Sequence, residues 1–405
     1  MMIDEKLCGE IEIAAKKNYG EMEYISDFLF KNPELGTEEY VSSAFLMELA
    51  KKKGFTVTSG YCDLDTSFLA EFKNGEGPVI GFIAEYDALP GLGPGGFPAH
   101  ACGHNWISAV SMGTAMILLE LKEQFQGTIR VIGTPAMENV GCKAEMIKAH
   151  AFDDVDVVIQ SHLEKYTSVE SKFLAMDAIE FSFKGRSSHA SAYPEEGINA
   201  LDAVQFTFMG INALRQYLRS DVKLHGIVSE GGDAPSVIPG TAACRYYIRA
   251  KDRTYLESIK PKIIRCAEGA ALMAGAEMTM SYFENSYDNM INNPVLTGLA
   301  LEYMGEEGIE PSPEYMQEGE FTSSDIGNVS HICPTLYMEF DIGADGEFRV
   351  HDERALQYVN SKFSTRKLHQ ISKIMAKIAM ELFLDKKLLL EVEKAQGKVV
   401  GESIK

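Results

Sequence analysis

Three apolar stretches, each ending in polar side chains, constrain the fold of this chain more than any other feature. They read GPVIGFIAEYDALP, GTIRVIGT and VDVVIQSHL, and segments of helical character lie between them. Short apolar strands that alternate with helices predict an α/β fold with a mostly parallel sheet and helices on both faces. Because the carboxyl ends of parallel strands share one edge of the sheet, the polar residues there are candidates for a common site.

The pattern changes near residue 172, which predicts a second domain inserted into the first. The elements that follow read β-α-β-β-α-β, beginning with the alternating strand AIEFSFKG and the amphipathic helix GINALDAVQFTFMGINALRQYL. After about residue 288 the alternation of helices and strands resumes, with TLYMEFDIG as a late strand and a long helical region behind it. We therefore expect a catalytic domain made of 1–172 and 288–405, and an inserted α+β domain at 173–287.

Charge and cysteine usage narrow the class of protein. The formal net charge is −21 and the pI about 4.9, which argues against nucleic acid or an anionic membrane surface as the main partner. The first residues, MMIDEKLCGE, lack the basic and apolar regions of a signal peptide, and the stretch WISAVSMGTAMILLEL is too short to cross a bilayer. Seven scattered cysteines without a CxxC motif indicate free thiols and a cytoplasmic location.

Polar residues at the ends of the three strands form the first group of candidates. Glu85 and Asp87 follow the first strand, Glu138 follows the second, and His162 ends the third. Asp87 is read in two ways, as a carboxylate that orients a metal-bound histidine or as a turn cap before Pro90. Taken alone, His162 fits a structural histidine at a strand end better than a ligand.

The loop HACGHN adds a metal-binding pair, Cys102 and His104. A thiolate and an imidazole two positions apart in a glycine-flexed loop can both reach one ion, and they suit zinc, with manganese, nickel or iron also possible. The competing interpretation is a loop cysteine beside a solvent histidine. Convergence with Glu138 and His162 favours the metal site. The glycine-rich segment 91–97 before this loop either shapes the pocket or is a flexible link, and the second interpretation is favoured.

Two further histidines are weak candidates by themselves. His189 lies in RSSHASAYP, on a turn of the inserted domain, and His351 lies in FRVHDERAL, where a helix begins after a loop.

The motifs taken together resemble a known family. EYDALP, HACGHN, TPAxE, a strand ending in SH, GRSSHASAYPEEGINALDA, GGDAPSVIP, RYYIRA, SSDIGNVSH and a late histidine follow one another in this order over nearly the whole chain. This series is similar to that of the two-metal aminoacylase and carboxypeptidase (amidohydrolase) family. EYDALP with HACGHN resembles most the branch of p-aminobenzoyl-glutamate hydrolase and the aminoacylase-1-like dipeptidases.

The resemblance implies a fold and a set of site residues. The fold is a zinc-peptidase-like catalytic domain with an inserted lid domain that forms a homodimer, and the cofactor is a pair of divalent metal ions. The implied metal ligands are Cys102, His104, Glu138, His162 and His351. Asp87 matches the aspartate that orients a ligand, and His189 matches a lid histidine that reaches the neighbouring subunit's site. Arg249 and the GGDAPSVIP loop, with Ser236, match positions that bind a substrate carboxylate.

The implied reaction is metal-assisted hydrolysis of an amide bond in an N-acyl amino acid or dipeptide. In the family a glutamate directly before the ligand glutamate takes the proton from water, and in this chain that position is Met137, which cannot accept a proton. Ser236 and Gly240 also depart from the family, which commonly has Asn and Asp there. Glu85 and Glu145 are the nearest candidates for a substitute base.

Met137 leaves two alternatives to an ordinary hydrolase. One is a metal-bearing binding or regulatory protein that holds an amino-acid-like ligand without efficient turnover. The other is altered chemistry at the metal site, such as isomerisation, elimination or hydrolysis of an unusual amide, for which an apolar, polarisable side chain beside the metal would suit a substrate that carries its own proton acceptor.

Overall fold

The computed structural model describes residues 3–313, 322–342 and 348–403, and it confirms the α/β class. The described residues form two compact units. The first contains 3–172, 290–313 and most of the chain after 327, and the second contains 173–289 with 322–327. The short segment 322–327 was predicted to belong to the first domain, and it groups with the second unit instead.

Twelve strands lie in the described residues. They are β1 (Thr56–Ser59), β2 (Phe68–Asn74), β3 (Val79–Ala84), β4 (Gly127–Gly133), β5 (Val157–Glu164), β6 (Ala175–Lys184), β7 (Ser188–His189), β8 (Lys223–Glu230), β9 (Val237–Ile238), β10 (Thr241–Ala250), β11 (Glu277–Tyr282) and β12 (Thr335–Asp341).

The described helices complete the element list. They are α1 (Glu5–Lys31), α2 (Tyr40–Lys53), α3 (His104–Glu120), α4 (Lys143–Lys148), α5 (Ala200–Leu214), α6 (Arg253–Ala274), α7 (Pro294–Glu306), α8 (Ile326–Ser330), α9 (Leu356–Val359), α10 (Lys362–Leu384) and α11 (Lys386–Ser403). Within the described ranges, none of them combines the length and the apolar composition that crossing a bilayer requires.

The first unit is built on a six-stranded sheet in the order β1-β2-β4-β3-β5-β12. The four strands β4, β3, β5 and β12 are parallel, as predicted. β2 pairs antiparallel with β4, and β1 antiparallel with β2, so the sheet is mixed at one edge. The sequence interpretation missed these two strands, because TVTS is short and polar and FLAEFKN is only partly buried.

Helix α3 forms the centre of the core of the first unit. Every side chain from His104 to Leu118 is buried, which fits its apolar composition on all sides. The helix lies against α1 and α10, and the Trp106 indole donates a hydrogen bond to the Ser364 carbonyl at 2.9 Å. This packing holds the first residue of α3 rigidly at the sheet edge where the parallel strands end.

Two predicted boundaries near the site were wrong by a few residues. Helix α3 begins at His104 rather than at about 106, so this histidine is the first helical residue and not part of the loop. β5 continues to Glu164, so His162 projects from within a strand rather than from its end. β5 extends further because its last residues pair with β12 through Asp341.

The second unit contains an antiparallel sheet in the order β11-β6-β10-β8, with α5 and α6 packed on it. Its elements follow the predicted sequence β-α-β-β-α-β, and the two-residue strands β7 and β9 pair separately. Buried residues such as Ile179, Val204 and Ile263 give this unit its own apolar core. β8 lies at the edge of the sheet, and its Ile227 and Val228 side chains are exposed.

Candidate metal centre

The Cys102–His104 turn is shaped by the glycine between them. Gly103 has φ 82°, and a Cβ at this position would lie 2.8 Å from Cδ1 of Leu163, so both the conformation and the space require glycine. The turn brings Cys102 Sγ within 3.5 Å of Nε2 of His162. The side chains of Cys102, His104 and His162 are all buried. A thiol and two imidazoles therefore meet at the carboxyl end of the parallel strands.

Hydrogen bonds orient both histidines in the same sense. Nδ1 of His104 donates to Oδ1 of Asp87 at 2.7 Å, and Nδ1 of His162 donates to the Leu163 carbonyl at 2.6 Å. With Nδ1 committed to an acceptor, each ring presents Nε2 toward the site, which is how histidine ligands of metals are held. The other Asp87 oxygen accepts the backbone N–H of Glu138 at 2.8 Å. One carboxylate therefore contacts both the His104 ring and the Glu138 backbone.

Glu138 and His351 meet on the other side of Cys102. Nε2 of His351 lies 3.2 Å from Oε2 of Glu138, and the His351 backbone donates to the Ala101 carbonyl at 3.1 Å. His351 has φ 63°, a left-handed conformation that is uncommon for a residue with a side chain. The backbone bond to Ala101 ties this distant residue to the Cys102 turn.

The ligand atoms fall into two overlapping triads. The first triad is Cys102, His104 and His162, and the second is Cys102, Glu138 and His351. Within each triad all candidate ligand atoms lie within 4.8 Å of one another. Cys102 belongs to both. The structure thus brings together all five residues that the family resemblance named as ligands.

Three buried polar atoms at this place have no hydrogen-bond partner among the described residues: Nε2 of His104, Oε2 of Glu85 and Oε1 of Glu138. Nε2 of His104 lies 3.7 Å from the Glu85 oxygen and 3.6 Å from the Glu138 oxygen. Burying such atoms without partners is costly, and a cation among them would remove that cost. The thiol, imidazole and carboxylate donors fit a divalent transition-metal ion.

The protonation of these groups follows from burial and from each other. Burial lowers the pKa of His104, but Asp87, Glu85 and Glu138 outweigh it and raise the pKa to about 10. Burial raises the pKa of Glu138, but His351 and His104 outweigh it and bring the pKa down to about 2. Burial, with Glu138 next, raises the pKa of the Cys102 thiol well above its ordinary value. A cation bound here would therefore displace protons from His104 and Cys102.

Met137 lies directly before Glu138 on a constrained turn. The preceding residue, Ala136, has φ 56°, and its N–H donates to Oε1 of Glu39 at 2.7 Å, while its carbonyl accepts from Gly141 at 2.9 Å. Glu39 is fully buried, so its hydrogen bond ties this loop to the protein interior. The Met137 side chain is half-buried and brings no proton acceptor to the site.

The two predicted substitutes for a base differ in their surroundings. Glu145 is exposed on α4. Glu85 is fully buried and bonds through Oε1 to Nζ of Lys143 at 2.6 Å. Burial raises the pKa of Glu85, but Lys143, His104 and His162 outweigh it and lower the pKa to about 2. A carboxylate with such a pKa is a weak proton acceptor near neutral pH.

The remaining predicted site residues lie in the second unit. Nδ1 of His189 accepts the N–H groups of Ser191 and Ala192 at 3.3 and 3.2 Å, so its Nε2 carries the proton and faces solvent. Ser236 is exposed, and its carbonyl accepts from Ala190 at 2.9 Å. Arg249 is partly buried on β10, with its guanidinium carbon 5.4 Å from the centre of the Tyr247 ring and its Nε unbonded among the described residues.

Sequence reasoning missed two residues that shape the site, Glu39 and Lys143. Glu39 stands before α2 and looks like a surface residue. Lys143 carried a usable signal, because Met146 and Ile147 follow it at three and four positions, a spacing that places Lys143 on the buried side of α4.

Comparison with known proteins identifies the family of this chain. Residues 81–381 match the model of peptidase family M20/M25/M40. The chain belongs to this family, and the predicted family and hydrolase class are confirmed.

Two curated relatives and one solved structure illustrate the similarity. The Xaa-Arg dipeptidase of Mus musculus is 31% identical over 384 residues, which cover 91% of this chain and 87% of the relative. One of the p-aminobenzoyl-glutamate hydrolase subunits of Escherichia coli is 31% identical over 309 residues, covering 73% of this chain and 63% of the relative. A dinuclear metal binding peptidase from family M20 of Bacillus subtilis superposes with a TM-score of 0.66 at 20% identity, covering 90% of this chain and 99% of that one.

Proposed function

We propose that this protein hydrolyses an amide bond in N-acyl amino acids or small peptides with the help of two divalent metal ions. The observation that carries the proposal is the pair of triads around Cys102, together with the buried atoms that lack partners there. The names of the relatives support the substrate class, since one is a dipeptidase and another hydrolyses p-aminobenzoyl-glutamate.

The residues of the centre have two tasks, to hold the cations and to orient the groups that hold them. The cations would be held by Cys102, His104, Glu138, His162 and His351. Asp87 keeps Nε2 of His104 aimed at the site and fixes the Glu138 backbone. Cations held there supply the Lewis acidity that polarises a carbonyl and lowers the pKa of water. The mixed sulfur, nitrogen and oxygen donors suit zinc, manganese, nickel or iron.

The second unit offers groups for binding the substrate. The geometry of His189 leaves an outward Nε2–H, which suits donation to a carboxylate or to an oxygen that gains charge during the reaction. Arg249 supplies a partly desolvated guanidinium, a strong partner for a substrate carboxylate. His189 and Arg249 both fit the substrate-binding role of a lid domain. Ser236 lies close to His189, since its carbonyl accepts the backbone N–H of Ala190.

A homodimer through the second unit is part of the proposal. β8 is a sheet edge with exposed Ile227 and Val228, and an apolar edge strand is a ready surface for pairing with a second copy. His189 would then serve the neighbouring subunit. The seven cysteines are free, which supports the cytoplasmic location.

Met137 favours a second candidate, a metal-bearing binding or regulatory protein for an amino-acid-like ligand. Loss of a general base typically costs about 10²–10⁴ in rate, so the geometry also allows slow hydrolysis. Substantial turnover by the wild-type protein would exclude the binding protein. Turnover that appears only after Met137→Glu would exclude the ordinary hydrolase.

The test is an amide hydrolysis assay with protein reloaded with zinc, manganese, nickel or iron after chelation. The substrates are a panel of dipeptides, including Xaa-Arg peptides, and N-acyl amino acids, with release of the free amine as the signal. We expect turnover that chelator abolishes, that Glu138→Ala removes, and that Glu76→Ala, which replaces an exposed carboxylate of the same unit, leaves intact. No turnover above the Glu138→Ala background with any metal would contradict the hydrolase.

A further inference from the structure

A buried ion pair that neither triad includes lies beside the centre. Nζ of Lys143 is 2.6 Å from Oε1 of Glu85, and both side chains have no exposed surface. Glu85 directly follows β3, and Lys143 is the first residue of α4. Burying an ion pair is often no more stabilising than an apolar pair of the same size, so its presence calls for another reason than stability.

The two oxygens of Glu85 are used unequally. Oε1 is taken by Lys143, while Oε2 has no hydrogen-bond partner among the described residues. Oε2 faces Nε2 of His104 at 3.7 Å, and that nitrogen is also without a hydrogen-bond partner there. Two ligand atoms that each lie about 2.1 Å from one ion are themselves about 3 to 4 Å apart, which matches this separation.

We infer that Glu85 supplies a further cation-facing oxygen to the metal centre and that Lys143 positions it by holding the other oxygen. The inference rests on the proposed function, since it requires that a cation bind beside His104. Glu85 adds negative charge in a desolvated place, which strengthens cation binding. Lys143 moderates that charge and prevents the carboxylate from turning away.

Metal affinity tests this role without recourse to activity. The dissociation constant for Zn²⁺ is measured by competition with a chelator, and thermal unfolding of the metal-free protein reports on folding. The variants are Glu85→Gln, Lys143→Met and the double variant Glu85→Gln/Lys143→Met. Glu71→Gln is the control, because Glu71, on β2 of the same unit, also pairs with a basic side chain, that of Arg130 on β4.

The two single variants have opposite expected effects. Glu85→Gln weakens Zn²⁺ binding about 10- to 100-fold, because an anionic oxygen facing the cation is lost. Lys143→Met tightens it on the order of tenfold, because the loss of the cationic charge that offsets Glu85 outweighs the loss of the contact that positions it. A pair with only a structural role would lower the unfolding temperature in both variants and leave affinity unchanged. Glu71→Gln changes neither quantity appreciably.

The double variant keeps the test decisive if a single variant does not fold, since it buries no unpaired charge. It should bind Zn²⁺ about 10- to 100-fold more weakly than Lys143→Met, and if Lys143→Met does not fold, the comparison of Glu85→Gln with the wild type gives the same ratio. Affinity in the double variant within about threefold of Lys143→Met, or in Glu85→Gln within about threefold of the wild type, would overturn the inference while leaving the proposed function standing. A wild-type protein that binds no Zn²⁺, manganese, nickel or iron would overturn both.

Discussion

Asp87 and His104 form a fully buried hydrogen bond in which Oδ1 of the aspartate lies 2.7 Å from Nδ1 of the histidine. The same carboxylate accepts the backbone N–H of Glu138 through its other oxygen. One side chain therefore sets the direction of a candidate ligand at the start of α3 and the position of another after β4.

Replacement of Asp87 by asparagine should weaken metal binding by about 10- to 100-fold. The amide has only one acceptor oxygen, so it cannot serve His104 and the Glu138 backbone together. The measurement is chelator competition on folded protein, with Asp65→Asn, an exposed aspartate of the same unit, as the control. Equal affinity in a folded Asp87→Asn protein would show that this contact does not orient a ligand.

Met137→Glu should raise kcat for amide hydrolysis by about 10²–10⁴, because it places a proton acceptor at the position beside Glu138. The ratio of kcat values is measured on metal-loaded protein with the best substrate of the panel. Met137→Gln, which has nearly the same shape as the glutamate variant and no charge, is the control and should give no such gain. A glutamate variant slower than the wild type would mean that Met137 serves a different chemistry.

Glu39 should make the stability of the first unit depend on pH. Burial, with the nearby Asp87 carboxylate, raises the pKa of Glu39 from 4.5 to about 7 in the folded protein. Below about pH 4.5 Glu39 is protonated in both the folded and the unfolded protein. Between pH 4.5 and about 7 only the folded protein keeps that proton, so folding takes up a proton. Stability therefore falls as the pH rises through this window, by about 3 kcal/mol at most.

Glu39→Gln isolates that effect, because glutamine can still accept from Ala136 and contact Thr66. The free energies of unfolding of the two metal-free proteins should be similar near pH 4.5 and diverge in favour of glutamine by pH 8. Urea unfolding at several pH values measures the difference. A constant difference across this range would mean that Glu39 ionises at its ordinary pKa.

Ile227→Lys should convert the proposed dimer to a monomer. A lysine on the exposed edge strand β8 places like charges together and costs desolvation when two copies pair. Ile13→Lys on α1 is the control, since Ile13 is an equally exposed isoleucine of the first unit. Molar mass is measured by light scattering. A wild-type monomer, or an Ile227→Lys dimer, would contradict pairing through β8.

The parts of the fold that depend on apolar pattern were predictable, and those that depend on long-range packing were not. The strands β3, β4 and β5 and helix α5 followed from continuous apolar runs or amphipathic spacing. The end of β5 did not, because its last residues are extended by pairing with β12, far away in sequence. The edge strands β1 and β2 carry too little apolar pattern to be recognised alone.

The candidate site shows the same division. Cys102, His104 and Glu138 could be proposed from strand ends and spacing, whereas His351 depended on resemblance, because a loop histidine has no local signal. Its contact with Glu138 arises from a backbone bond to Ala101 that no sequence pattern encodes. Lys143 was overlooked because a lysine is rarely buried without a partner, and that partner, Glu85, is 58 positions away.

The central claim is that the two triads around Cys102 hold two cations, and the number of bound metal ions per chain tests it most directly. After equilibrium dialysis against limiting free Zn²⁺ or Mn²⁺, elemental analysis should give two ions for the wild type. His162→Ala and His351→Ala, each of which breaks one triad, should give one ion each. A wild-type protein with no tightly bound ion, or variants that both retain two, would contradict the account.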